Sequence, residues 1–185
     1  MFALRQIPNL ITLIRILLVV PIAWALVEHQ LNTAIGLFVL AAVSDAADGF
    51  LAKRFSWQSE LGSILDPIAD KLLMVTAFVT LALLQWVPMW LMVAAVLRDA
   101  VIVGGAAAYR FFIGPLQAHP TVVSKLNTLC QALFILTVVT RVAVDMPPSW
   151  ATLALGGVVF ATIMVSGMDY VVTYARRAAR LTAAR

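Results

Sequence analysis

Asp45, Asp48, Asp66 and Asp70 stand in two pairs, at spacings of three and four residues, inside two otherwise apolar stretches of the chain. On helices those spacings put both members of a pair on one face. Carboxylates crowded in apolar surroundings repel one another and lose hydration. A single charged group costs roughly 2.5–3.5 kcal/mol in a bilayer even on insertion scales. Divalent metal relieves the repulsion, and hard carboxylate oxygens suit Mg²⁺ or Mn²⁺. Gly49, Ala52 and Gly62 lie among the aspartates and keep the backbone open to a bulky polar group. Beside metal-bound carboxylates, that group is an anhydride or diphosphate, whose chemistry needs mainly positioning and charge neutralisation.

The elements that carry these residues must be membrane helices. The chain has 185 residues, 63% hydrophobic and 12% charged, with a mean hydropathy of +0.98. This length accommodates about six spans of roughly 20 residues each, and six apolar segments are found at 10–27, 31–52, 61–84, 88–109, 121–144 and 150–174. The expected fold is all-α: one membrane domain over 1–185, built as a bundle of six transmembrane helices (10–175). A short interfacial segment (1–9) precedes the bundle, with Asn9 as the helix N-cap, and a basic tail (176–185) follows it. Arg15 interrupts the first apolar run, which argues against a cleaved signal peptide. Cys130 lies alone in an apolar segment and reads as core packing.

Basic residues set the orientation. With the N-terminus inside, Arg5, Lys53, Arg54, Arg110, Arg176, Arg177, Arg180 and Arg185 fall on the cytoplasmic side and Arg141 on the other. Both termini and the aspartates are then cytoplasmic-side, in a multi-pass protein of a bacterial-type inner membrane. The tail arginines suit anionic lipid, so the basic character implies membrane lipids as partners and no nucleic acid.

The run Asp45-Ala-Ala-Asp48-Gly49-Phe-Leu-Ala52-Lys53, then eight residues, then Gly62-Ser-Ile-Leu-Asp66-Pro-Ile-Ala-Asp70, resembles the signature of the CDP-alcohol phosphotransferase family. The spacing matches throughout. Lys53 departs from the family's usual arginine, keeping the charge but losing the bidentate fork. The resemblance implies an integral membrane enzyme, commonly homodimeric, that transfers phosphatidyl from CDP-diacylglycerol to an alcohol and releases CMP. It implies Asp45, Asp48, Asp66 and Asp70 as ligands of two Mg²⁺ or Mn²⁺ ions, with Asp70 also the general base. Asn9, Thr12, Arg15, Asp48, Gly49, Ala52, Lys53 and Gly62 would bind the CDP-linked donor.

For the acceptor, Leu97-Arg98-Asp99 and the segment 120–131 resemble the cardiolipin synthase branch. Arg98, Lys125 and Asn127 are the candidate acceptor residues, and phosphatidylglycerol the expected acceptor. Phosphatidylglycerophosphate synthases, the alternative branch, typically carry a second lysine where this chain has Asn127. That difference fits a singly charged phosphodiester better than the glycerol 3-phosphate dianion. A cation transporter, in which intramembrane aspartates line an ion path, has no need of Gly49, Ala52 and Gly62 at these spacings.

Overall fold

The computed structural model describes residues 7–55, 60–112 and 122–182. Among them run six helices and no strand: α1 (Ile7–Val27), α2 (Leu31–Phe55), α3 (Glu60–Leu83), α4 (Met89–Phe112), α5 (Val122–Val144) and α6 (Ser149–Thr182). Three meet the length and apolarity of a membrane span, over Asn9–Val27, Val122–Val144 and Ser149–Thr173. The helices α2, α3 and α4 are as long, at 25, 24 and 24 residues. They also carry the acidic and basic residues singled out above, so their apolar character is diluted by the groups that give the chain its chemistry.

Two boundaries differ from the sequence reading. Helix α1 begins at Ile7, so Asn9 lies inside its first turn and is not the N-cap. Pro8 fits there because the first-turn N–H groups have no intrahelical acceptor. Helix α6 runs on to Thr182, so arginines 176, 177 and 180 extend the sixth helix rather than form a separate tail.

The chain divides into two compact units. The first comprises Met1–Val87 and Ile135–Pro148, the second Pro88–Phe134 and Ser149–Arg185. In the first unit α1 packs against both α2 and α3. Its buried stripe is Thr12, Arg15, Val19, Ile22 and Leu26, at alternating steps of three and four residues, whereas Leu10, Leu13, Leu17, Val20, Trp24 and Val27 form an exposed stripe. An apolar stripe exposed along a whole helix is the surface a bilayer solvates. The polar residues are therefore on the inward side, the reverse of a soluble helix. The facing helices contribute small buried residues, Ala34 and Ala41 from α2 and Ala69 and Ala77 from α3, which let backbones approach closely.

The turns at the C-terminal ends of α1 and α3 share one design. His29 and Gln85 take positive φ, 54° and 64°. Each is followed by the paired hydrogen bonds of a Schellman cap: His29 N–H to Leu26 O and Gln30 N–H to Ala25 O, then Gln85 N–H to Ala82 O and Trp86 N–H to Leu81 O. The two caps meet through His29 and Trp86, whose rings pack edge to face at 5.4 Å.

In the second unit α4 packs against α6. Gly156 is the close approach here: a Cβ at that position would lie 3.2 Å from the Phe134 ring, and Phe134 is buried. At Gly36 and Gly104 nothing lies within 4 Å of an added Cβ, so within the described chain these two do not mediate helix contacts. Gly156→Ala is therefore expected to cost about 1–3 kcal/mol through overpacking. Gly36→Ala is expected to gain about 0.5–1 kcal/mol of helix propensity. Thermal unfolding in detergent measures both. A fall in midpoint for Gly36→Ala would mean that another surface packs on that face.

Candidate functional site

The buried stripe of α1 ends in two polar residues, three positions apart and hence on one face. Both reach aspartates, on different helices. The Thr12 hydroxyl donates to Asp66 Oδ1 on α3. Arg15 Nη1 lies 2.7 Å from Asp45 Oδ1 on α2, the Arg15 side chain fully buried and that of Asp45 half exposed. A guanidinium at this depth costs more than its pairing returns unless its partner is ionised and well placed. Helix α1 thus supplies one neutral donor to Asp66 of α3 and one charged donor to Asp45 of α2.

The aspartates lie at the ends of the buried stripes of their own helices. Asp45 continues the series Ala34, Phe38 and Ala41 on α2, and Asp66 and Asp70 precede Leu73, Ala77 and Leu81 on α3. Asp66 and Asp70 are both half-buried, and Gly62, one turn before Asp66, is buried. Pro67 is accommodated inside α3, where it removes the N–H that would reach the Ser63 carbonyl. The side chains of Asp48, Ala52 and Lys53, and the surroundings of Gly49, lie outside the described residues. Asn9 is partly buried on α1.

Among the described residues no three acidic, histidine or cysteine side chains form a metal-holding group. The donor set is nevertheless of the right kind: Asp45 and Asp66 each give one carboxylate oxygen to α1, and each retains a second, hard oxygen of the sort Mg²⁺ and Mn²⁺ take.

A second polar cluster occupies the other unit. Arg98 on α4 is buried, and its nitrogens are engaged by side chains on three helices. Nη1 donates to Asp99 at 2.6 Å, Nη2 to Ser124 of α5 at 2.8 Å, and Nε to Ser166 of α6 at 3.2 Å. This guanidinium is a clamp between helices. Lys125 is exposed, and Asn127 is fully buried with its Oδ1 3.0 Å from the Thr162 hydroxyl.

The pairing of Arg15 with Asp45 and of Thr12 with Asp66 was not anticipated from the sequence, although a buried arginine in an apolar helix implies a carboxylate partner. Ser124 and Ser166 carried no signal at all, since serine is common at helix contacts. Thr12→Val removes the hydroxyl while keeping the shape. It is expected to cost about 1–2 kcal/mol, in the range of a hydrogen bond to a charged group, and to lower kcat by loosening Asp66. Thr12→Ser keeps the donor and should stay near the parent in both thermal unfolding and turnover.

Residues 5–168 match the family model for CDP-alcohol phosphatidyltransferase. The chain is 34% identical over 141 residues to a probable cardiolipin synthase (CMP-forming) of Drosophila melanogaster, a match covering 68% of this chain and 44% of that protein. It is 32% identical over 145 residues to cardiolipin synthase (CMP-forming) of Homo sapiens, covering 70% and 48%. A chloroplastic CDP-diacylglycerol–glycerol-3-phosphate 3-phosphatidyltransferase of Oryza sativa is 30% identical over 147 residues, covering 70% and 45%. The chain thus spans about half the length of the relatives it matches. The family match runs through both compact units and includes the aspartates as well as Arg98, Lys125 and Asn127, and the chain belongs to the CDP-alcohol phosphatidyltransferase family.

Proposed function

We propose that the protein is a divalent-metal-dependent phosphatidyltransferase that uses CDP-diacylglycerol as donor and phosphatidylglycerol as acceptor, releasing CMP and forming cardiolipin. The observation that carries this reading is the aspartate constellation held by α1, within a chain of this family whose relatives include proteins named cardiolipin synthase.

Asp45, Asp48, Asp66 and Asp70 would hold two Mg²⁺ or Mn²⁺ ions, which when bound supply charge neutralisation at the donor diphosphate. Thr12 and Arg15 keep Asp66 and Asp45 oriented. Asn9, Gly49, Ala52, Lys53 and Gly62 line the donor side, the small residues leaving room for the nucleotide. Asp70 accepts the proton of the acceptor hydroxyl as that oxygen bonds to the phosphorus carrying diacylglycerol. The bond from that phosphorus to the bridging oxygen breaks, and CMP leaves with that oxygen. On the acceptor side, Lys125 and Asn127 meet the phosphodiester headgroup, and Arg98 positions them through Ser124, three residues before Asn127 on α5.

The same reading has all six helices spanning a bacterial-type inner membrane, termini and active site cytoplasmic, as one domain in a homodimer. Glycerol 3-phosphate is the second acceptor to weigh, because the Oryza sativa relative carries that substrate in its name. Against it, Asn127 occupies a fully buried, uncharged position, a poor setting for a dianion.

Purified protein reconstituted with CDP-diacylglycerol and Mn²⁺ is expected to release CMP only when phosphatidylglycerol is added, with cardiolipin identified by mass. Release that depends on glycerol 3-phosphate and ignores phosphatidylglycerol would overturn the acceptor assignment. Chelation should abolish release and added Mn²⁺ restore it. Asp70→Asn is expected to lower kcat by about 10²–10⁴, a larger effect than its loss of metal affinity, whereas Asp45→Asn should weaken metal affinity first. Parental turnover in Asp70→Asn would exclude it as the base.

A further inference from the structure

Asn127 and Gln131 sit one turn apart on α5, both buried, at 0% and 3% exposure. Asn127 Nδ2 and Gln131 Nε2 have no hydrogen-bond partner among the described residues. Their spacing puts the two amides on one helix face, about 5–6 Å apart at Cβ. A buried amide nitrogen without an acceptor is costly, and native proteins rarely keep one. Two on one face of one helix point to a missing partner.

The neighbouring stretch of α6 also carries polar residues. The single hydroxyl proton of Thr162 on α6 is shared between two acceptors, Asn127 Oδ1 at 3.0 Å and Val159 O of its own helix at 2.9 Å. Ser166, one turn further along α6, is taken up by Arg98. Both orphan groups are neutral donors, so a partner presenting neutral acceptor oxygens suits them. A polyol satisfies this: its hydroxyls accept from amides and donate onward. A phosphate dianion suits them less, because the buried cation described in this unit, Arg98, is already engaged on every nitrogen.

We infer that Asn127 and Gln131 form an amide pair that reads the hydroxyls of the acceptor's glycerol headgroup, with Gln131 a specificity-determining residue. This rests on the proposed acceptor class. It adds a role for Gln131 and a reason for acceptor choice, namely hydroxyl recognition by neutral donors.

The test compares phosphatidylglycerol with phosphatidyl-1,3-propanediol, which keeps the primary nucleophilic hydroxyl and lacks the secondary one. The full chain, reconstituted in vesicles with CDP-diacylglycerol and Mn²⁺, is expected to favour phosphatidylglycerol by about tenfold in kcat/KM, the scale of a lost hydrogen bond that strands a buried partner. Gln131→Met removes the amide at equal length and is expected to bring that ratio close to one. The KM for CDP-diacylglycerol should stay within about twofold, and the unfolding midpoint should be equal or higher, since an orphan donor has been deleted. Gln131→Asn retains a shorter amide and should give an intermediate ratio, and serves if the Met variant does not fold. A parental ratio in either variant overturns the inference, leaving the amides as hosts for structural water. Failure of the acceptor reading looks different: the parent itself would make no cardiolipin.

Discussion

Carboxylates placed on apolar helices need donors held against them, and in this chain α1 does the holding. Thr12 and Arg15, one turn apart, tie Asp66 of α3 and Asp45 of α2 to a single helix. Without those donors each carboxylate would oppose the packing of its helix on α1. The remaining buried residues of α1, Val19, Ile22 and Leu26, only have to fill space against small residues on its neighbours. Electrostatics thus sets the register at one end of the unit and close packing sets it along the rest.

The second unit buries a guanidinium too, with different partners. Its buried charge is a cation, and Arg98 is satisfied by Asp99 and two serine hydroxyls rather than by a carboxylate on each helix. Hydroxyls are weak partners for a guanidinium taken singly. Distributed over α4, α5 and α6 they fix a planar fork from several directions, a geometry lysine would not reproduce.

Much of this was legible in the sequence. Six helices were readable because apolar runs are punctuated by turn residues, and the aspartate pairs because helical spacing is short-range. Boundaries were harder at the N-terminus, where Asn9 resembles a cap yet lies inside the first turn, and at the C-terminus, where a basic run is also a good helix former. Partnerships between helices were not readable. Nothing local in Thr12, Ser124 or Ser166 says which charge it will meet, since that is decided by the rotation of one helix against another. The orphan amides of Asn127 and Gln131 are visible only once burial is known.

The distribution of apolar character among the helices also bears on how such a chain enters a membrane. The first, fifth and sixth helices contain stretches long and apolar enough to partition by themselves, whereas in the second, third and fourth the apolar run is broken by charged residues. Arg15 is buried against α2, so even the first helix reaches its final state only when Asp45 arrives. If all six helices span, the second and third would be retained by the first as they emerge, and biogenesis would proceed by capture of weakly hydrophobic segments. A substitution at Asp45 or Arg15 would then disturb insertion before it disturbed any chemistry, and the ion pair that orients the Asp45 carboxylate would be a checkpoint in assembly.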